Sequence, residues 1–253
     1  MNADKLRQQL KQIPQPTTEL KPPYWAYWRM VLYDWLLAND PKDFERCPAI
    51  FHTMLQAHWP DSIAFELSNL GDKQLMAACT MPHFGPNDPI DNNLSMNLVH
   101  QAYHIYQWEQ ATGRKIGQLQ TIVEFGGGYG AMALLCHRLG FDGRYIIYDL
   151  PEFSLLQEYY LSQFGLLANV EWNPKRQPKE INLYMALYSL SEVEPTERKI
   201  PRANSYLFLY SGQWEAWNNV EWFKQFAMTT TLDWTSAEIT HLPSGNNWYS
   251  IGW

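Results

Sequence analysis

The residues best equipped for chemistry lie in the stretch TIVEFGGGYGAMALL, residues 121–135. An apolar and β-branched run leads to Glu124, then to glycines at 126, 127, 128 and 130, then to a run that reads as helix. Glycine has no Cβ, so its backbone N–H can approach a ligand closely and its φ can be positive. A helix opening at such a turn adds the partial positive charge of its N-terminus. A phosphate, a dinucleotide or another adenosyl cofactor would each suit this turn, and a bare tight turn is the alternative without a ligand.

Three ligands compete on spacing. A nucleoside-triphosphate loop needs Lys-Ser or Lys-Thr after its last glycine, and neither follows here. A dinucleotide fingerprint, G-x-G-x-x-G/A, is formally met by Gly126, Gly128 and Ala131. Asp149, 23 positions beyond Gly126 at the end of YIIYD, sits where such a fold needs an acid for the ribose. S-adenosylmethionine is the third ligand, and Glu124 speaks for it. A carboxylate two residues before the first glycine repels a pyrophosphate but attracts the cationic amino group of a methionyl moiety. Asp149 would accept hydrogen bonds from ribose hydroxyls in either case.

The hydrophobic pattern shows which elements must position these groups. Residues 2–13 read as a short polar helix and PQPTTELKPP as a proline-punctuated connection. YWAYWRMVLYDWLLAND has helical length, and residues 42–57 read as a further helix. Residues 62–80 are ambiguous, with IAFEL a candidate strand. MPHFGPNDPIDNN is a loop, followed by a helix over residues 94–112 that stops at Gly113. Beyond residue 120 strands and helices alternate: TIVEF, RYIIYDL, ANVEW, INLYMALYSL and SYLFLYSG are the strands, with helices after the first, second and fifth. TTLDWTSAEI and NNWYSIGW close the chain as two strands joined by a short turn. Alternation implies an α/β fold with a mostly parallel sheet, and the short last turn implies an antiparallel final strand. The boundary falls near residue 90, giving a helical N-terminal extension over 1–90 and a cofactor-binding domain over 91–253.

The elements VEFGGGYG, YIIYDLPE and YSLSEVE, in that order, resemble class I S-adenosylmethionine-dependent methyltransferases. More narrowly they resemble a bacterial family of sugar O-methyltransferases, in which V-E-x-G-G-G-Y-G, D-L-P-E and a later S-E follow one another. The resemblance covers about residues 94–253; residues 1–90 match nothing and are expected to carry much of the substrate specificity. It implies a Rossmann-like sheet and S-adenosylmethionine as cofactor. It also implies that Glu124, Gly126, Gly128 and Gly130 line the methionine end, that Asp149 holds the ribose and that Leu150 packs near the adenine, with Asn173 on the adenine side. The activity implied is O-methylation of a sugar or sugar-like small molecule. An NAD(P)-dependent oxidoreductase and a catalytically silent methyltransferase-like protein are the alternatives.

Methyl transfer from a sulfonium is an in-line displacement, and a hydroxyl nucleophile gains from a general base by typically ~10²–10⁴-fold. Ligands of an open parallel sheet sit beyond the carboxyl ends of its strands. That places Tyr188, Ser189, Ser191 and Glu192 after the fourth strand, Ser211, Gln213 and Trp214 after the fifth, and His241 after the sixth. Glu192 is the leading acceptor contact and a candidate base; its structural alternative is a charge at a helix start. His100 and His104, four apart, share a helix face, and His100 is the second catalytic candidate. No third ligand accompanies them, so no metal is expected. Tyr188, Ser191, His83 and His241 are expected substrate contacts; His83, Asp88 and Asp91 belong to a loop able to act as a lid. KPPYW, residues 21–25, resembles the motif of amino-methylating nucleic-acid enzymes, but lysine replaces the acid or amide, so a plain turn is expected.

The net charge of −7 over 253 residues, with no cluster of Lys and Arg, argues against a nucleic-acid substrate. Three scattered cysteines fit a reducing cytoplasm, and no apolar run spans a membrane. The expected partner is a small-molecule carbohydrate, with homo-oligomerisation left open. The 12 tryptophans and 15 tyrosines suit sugar stacking or simply fill the core.

Overall fold

A computed structural model of the chain describes residues 1–17, 23–55, 59–91, 93–243 and 245–253. The N-terminal part is helical: α1 (Ala3–Leu10), α2 (Pro23–Ala38), a 3-10 segment (Pro41–Arg46), α3 (Pro48–Met54), α4 (Pro60–Asn69) and α5 (Lys73–Ala78). Asn2 caps α1 by accepting from the Lys5 N–H at 2.9 Å, and Asp72 caps α5 in the same way. The helix expected over residues 42–57 is divided at Pro48. Proline removes an N–H and drives the preceding Cys47 to an extended ψ of 125°; Ala57 lies outside the described residues. IAFEL is helix, not strand. Ile63, Glu66 and Leu70 are buried together at spacings of three and four, the period of a helix face.

The expected loop over 81–93 folds its end into a small hairpin, β1 (Pro89–Ile90) with β2 (Leu94–Ser95); Asn92 lies outside the described residues. Then α6 (Met96–Thr112) runs between a Ser95 cap and Gly113, whose φ of +67° ends the helix.

The sheet follows as read: β3 (Thr121–Phe125), α7 (Ala131–Arg138), β4 (Arg144–Tyr148), α8 (Pro151–Ser162), β5 (Val170–Trp172), β6 (Leu183–Leu187), β7 (Tyr206–Ser211), a two-residue hairpin β8 (Gln213–Trp214) with β9 (Trp217–Asn218), α9 (Asn219–Met228), β10 (Trp234–Ile239) and β11 (Asn247–Gly252). Among the described residues seven strands form one sheet in the order β10-β11-β7-β6-β3-β4-β5. Only β11 runs antiparallel to both neighbours. This strand order, with a reversed last strand inserted beside the fifth, is the Rossmann-like sheet of class I methyltransferases.

Alternate residues of each strand feed opposite faces. Ile122, Tyr145, Ile147, Leu183, Met185, Leu207 and Leu209 join one cluster, which also holds Leu6, Leu32, Ile50, Ile63 and Leu75 from the N-terminal helices. The helices before residue 90 thus share a core with the sheet. The other face gathers Val123, Ile146, Tyr184, Tyr206, Phe208 and Tyr210 against α9. Trp234 stacks there on Phe208 and Tyr206, and Phe223 on Tyr210, so much of the aromatic content fills this core.

Candidate active site

The carboxyl ends of β3, β4, β6 and β7 open into a cavity of about 600 Å³, which α2 and α6 also line. That volume lies in the range of small-molecule sites. Residues 126–128 form its floor. Gly126 has φ +77°, and a Cβ there would collide with the Ser189 side chain. Ser189 in turn donates its hydroxyl to the Phe125 carbonyl. The loops after β3 and β6 therefore touch backbone to side chain, and glycine is required for that approach. Gly128 also lines the cavity, beneath Met54 of α3. Gly130 does not: it starts α7, and a Cβ there would press on Leu161 of α8 at 3.3 Å.

Glu124 is 2 % exposed, and its Oε2 accepts from the Tyr145 hydroxyl at 2.8 Å. Burial pushes its carboxyl up to about 8, against that hydrogen bond. Asp149, at the end of β4, accepts from Leu150 N at 2.7 Å and from Gln157 Nε2 at 2.6 Å. Burial pushes it up to about 7, opposed by the Leu150, Gln157, Gly127 and Gly128 donors. Gln157 also donates to the Gly128 carbonyl at 2.9 Å, clamping the acid to the glycine turn. Asn173, with φ +46°, accepts from Asp149 N at 3.0 Å, and Leu150 lies alongside it in the wall.

The opposite end is built by the loop after β6 and by α2 and α6. Tyr188 adopts φ +69°, a left-handed conformation costly for a bulky residue. The conformation is held by the Tyr188 N–H donating to Leu209 O at 2.7 Å and by Ser191 Oγ donating to Tyr188 O at 2.5 Å. Tyr188 and Glu192 line the cavity. Glu192 Oε2 accepts from the Trp25 indole at 2.6 Å, and burial pushes its carboxyl up to about 7 despite that bond. From α6, Asn97, His100, Gln101 and His104 present one face to the cavity. Asn97 Oδ1 and Gln101 Oε1 are buried with no hydrogen-bond partner among the described residues.

Not every expected contact reaches the cavity. Ser191 is fully buried and supports the loop, its carbonyl accepting from Arg198 and Asn219. His241 stands one residue from the lining Leu242 and bonds Glu66 at 2.9 Å instead. His83 is exposed, packed on Phe164 with its ring nitrogen 3.2 Å from Gln163 O, and is not among the residues that line the cavity. Asp88 accepts from Ser95 Oγ and Asn97 N, both at 2.8 Å, and so fixes the start of α6. In KPPYW, Pro23–Trp25 open α2 and deliver the indole that holds Glu192; Lys21 and Pro22 lie outside the described residues.

Three further residues matter and carried no local signal. Arg29 of α2 makes a two-pronged bond to the fully buried Glu152 of α8, at 2.8 and 3.0 Å. That explains the last residue of the DLPE element. Gln157 is the clamp on Asp149, and Glu66 is the hub of a histidine cluster. Among the described residues no group of three or more His, Cys, Asp or Glu is arranged to hold a metal ion.

No protein-family profile and no curated protein matches the chain. Solved structures do resemble it. An O-methyltransferase of tomaymycin synthesis from Streptomyces achromogenes aligns over 79 % of this chain and 98 % of its own, at 14 % identity and TM-score 0.45. Geranyl diphosphate C-methyltransferase from Streptomyces coelicolor aligns over 66 % and 81 %, at 13 % identity and TM-score 0.45. The methyltransferase domain of METTL16 aligns over 76 % and 96 %, at 9 % identity and TM-score 0.47. At this level of similarity the reactions and substrates of those proteins do not transfer to this chain.

Proposed function

We propose that the chain is an S-adenosylmethionine-dependent O-methyltransferase acting on a hydroxyl of a sugar or sugar-like small molecule. The observation that carries this reading is the acidic lining of the glycine-turn end. Glu124 and Asp149 both face the cavity with raised proton affinity. Arg29 is the one Lys or Arg among the described lining residues, and Glu152 occupies its guanidinium. A dinucleotide pyrophosphate would meet acidic groups without a free cation; a methionyl ammonium and ribose hydroxyls would add donors to those that Tyr145 gives Glu124 and that Leu150 and Gln157 give Asp149.

When bound, the cofactor supplies an activated methyl group. The chain's own work is to hold and align. Glu124 takes the amino group, Asp149 the ribose, and Leu150 with Asn173 bound the adenine side. Glu192, oriented by Trp25, and the α6 face meet the acceptor, with Asn97 Oδ1 and Gln101 Oε1 waiting for hydroxyl donors. Two unpaired amide oxygens on one helix face of the cavity, Asn97 Oδ1 and Gln101 Oε1, favour a hydroxylated small molecule over a nucleic acid, in line with the net charge of −7. Three free, buried cysteines fit a cytoplasmic setting, and among the described residues no helix is long and apolar enough to cross a membrane.

The test is formation of S-adenosylhomocysteine when the protein is given S-adenosylmethionine and a panel of neutral sugars, amino sugars and nucleotide sugars. Acceptor-dependent turnover that falls in Glu192→Gln supports the reading. Reduction of NAD(P) by the same panel, with no demethylated cofactor, would replace it with the oxidoreductase.

A further inference from the structure

Every cationic side chain in the described lining of the cavity is already committed. Arg29 is the one Lys or Arg there, and Glu152 takes both prongs of its guanidinium. The two lining histidines are engaged at both ring nitrogens. His100 Nδ1 stands 2.9 Å from Glu66, His100 Nε2 stands 3.0 Å from His104 Nε2, and His104 Nδ1 stands 2.6 Å from the Tyr249 hydroxyl. Nothing in the described lining is left to meet a phosphate or a carboxylate of the acceptor.

The buried polar atoms that the described lining leaves unfilled are acceptors. Asn97 is 1 % exposed; its Nδ2 donates to the Tyr129 hydroxyl at 2.5 Å, and its Oδ1 has no partner among the described residues. Gln101 Oε1, one turn further along α6, is likewise buried without a partner. Glu192 lines the cavity and accepts one hydrogen bond, from Trp25 to Oε2 at 2.6 Å, so its Oε1 takes no donor from any described residue. The wall beside it is aromatic: Trp25 meets Phe153 edge to face at 5.6 Å, and Tyr188 lines the same cavity.

These groups discriminate among three kinds of acceptor. An anionic one, such as a sugar phosphate, would lose its hydration beside acidic groups and find no counter-charge. A neutral polyol would satisfy the two amide oxygens and leave Glu192 without a counter-charge. A cationic amine would meet the carboxylate through charge-assisted hydrogen bonds and would also gain from the faces of aromatic rings. We infer that the acceptor is a hydroxylated amine, of the amino-sugar or aminocyclitol class, whose ammonium group Glu192 holds through Oε1 while Asn97 Oδ1 and Gln101 Oε1 accept from its hydroxyls. This rests on the methyltransferase reading above and narrows it. Burial pushes the Glu192 carboxyl up to about 7 against the Trp25 bond, and an incoming cation would reverse that push. Held as an ammonium, the nitrogen has no lone pair, so a hydroxyl is the nucleophile. The new C–O bond forms as the S–C bond breaks, and the hydroxyl proton leaves to solvent water.

The experiment is calorimetric titration of the full-length protein, saturated with S-adenosylhomocysteine, near neutral pH. The probes are glucosamine, galactosamine and the aminocyclitol streptamine, each beside its N-acetylated form and its parent neutral polyol, with glucose phosphate as the anionic member. At least one amine should bind about 10–100-fold more tightly than its N-acetylated and neutral partners. Glu192→Gln should remove that preference and still bind S-adenosylhomocysteine, whereas Gln101→Met should weaken the amine and its neutral partner by similar factors. In carbon NMR of glutamate-labelled parent near pH 6, the same amine should move the Glu192 carboxyl to its ionised position and the N-acetylated partner should not; this readout decides even if Glu192→Gln does not fold. With S-adenosylmethionine the product should be a methyl ether that keeps its free amine. Absence of any preference for an amine, a preference that survives Glu192→Gln, or an N-methylated product would overturn the proposal. So would ionisation of Glu192 by S-adenosylmethionine alone, which would assign the carboxylate to the sulfonium. Failure of S-adenosylhomocysteine to bind the folded parent is a separate result: it would overturn the methyltransferase reading and, with it, this acceptor.

Discussion

Replacing Arg29 with methionine should destabilise the protein far more than a typical side-chain change. The guanidinium meets Glu152 through two bonds, 2.8 and 3.0 Å long, with the side chains 15 % and 0 % exposed. Removing it strands a carboxylate with no access to water. Breaking a buried pair of this kind costs about 3–5 kcal/mol, because the remaining charge keeps its desolvation penalty and loses its partner. At roughly 2–4 °C per kcal/mol for a chain of this size, the melting temperature should fall by about 6–20 °C. The assay is urea and thermal unfolding of the parent, Arg29→Met, Glu152→Met and the double variant. Both singles should be strongly destabilised, and the double should recover most of the loss, since two apolar side chains fill the same space without a charge. A single-variant loss below about 1 kcal/mol, typical of an exposed pair, would refute the reasoning. So would a double variant worse than either single. The result bears on the site because this pair fastens α2, which carries Trp25, to α8, which carries Gln157.

Other outcomes follow from the geometry. Glu124, raised to about 8 from an ordinary 4.5, is protonated in the free protein near pH 6; binding a cationic amino group should expel that proton, and the release measured calorimetrically in two buffers should fall by about one in Glu124→Gln. The same raised value means that its contribution to stability is complete below about 4.5 and is lost as pH rises through about 8, so ligand-free Glu124→Gln should lose less stability than the parent between pH 5 and pH 9 in denaturant titrations. Gly126→Ala, at φ +77° and against Ser189, should cost about 1–3 kcal/mol and abolish cofactor binding; normal binding by a normally stable variant would show that the turn has slack. Trp25→Phe removes the hydrogen bond that lowers Glu192, so the Glu192 carboxyl should titrate above its present value of about 7 in carbon NMR; an unchanged or lower midpoint would contradict the assigned contact.

Sequence and structure agree best where a single local rule decides. The strands were legible because alternate residues feed opposite faces, and the turn after β3 because only glycine tolerates its approach to Ser189. Asp149 and Glu124 were legible for the same reason: their place is fixed by the strand that carries them. The strand read into IAFEL failed because five residues are too few to separate a period of two from one of 3.6, and the Ile63–Glu66–Leu70 stripe appears only over a longer window. The places of His83 and Asp88 were not legible because a polar loop signals exposure, not what it faces. Asp88 is spent on the start of α6. Glu66, Arg29 and Trp25 stayed hidden because each acquires its role from a partner distant in sequence: Glu66 lies 175 positions from His241, and Trp25 lies 167 from Glu192. Such pairings are decided by how the N-terminal helices settle on the sheet, which no local pattern encodes.

The central claim is that the acidic glycine turn holds S-adenosylmethionine, and calorimetric titration with S-adenosylhomocysteine tests it most directly. The parent should bind one equivalent, Asp149→Ala should bind at least about tenfold more weakly through loss of a charge-assisted contact worth roughly 1.5–3 kcal/mol, and NAD(H) and NADP(H) should give no heat of binding. Absence of binding by a folded parent, or a dinucleotide that binds in its place, would contradict the account.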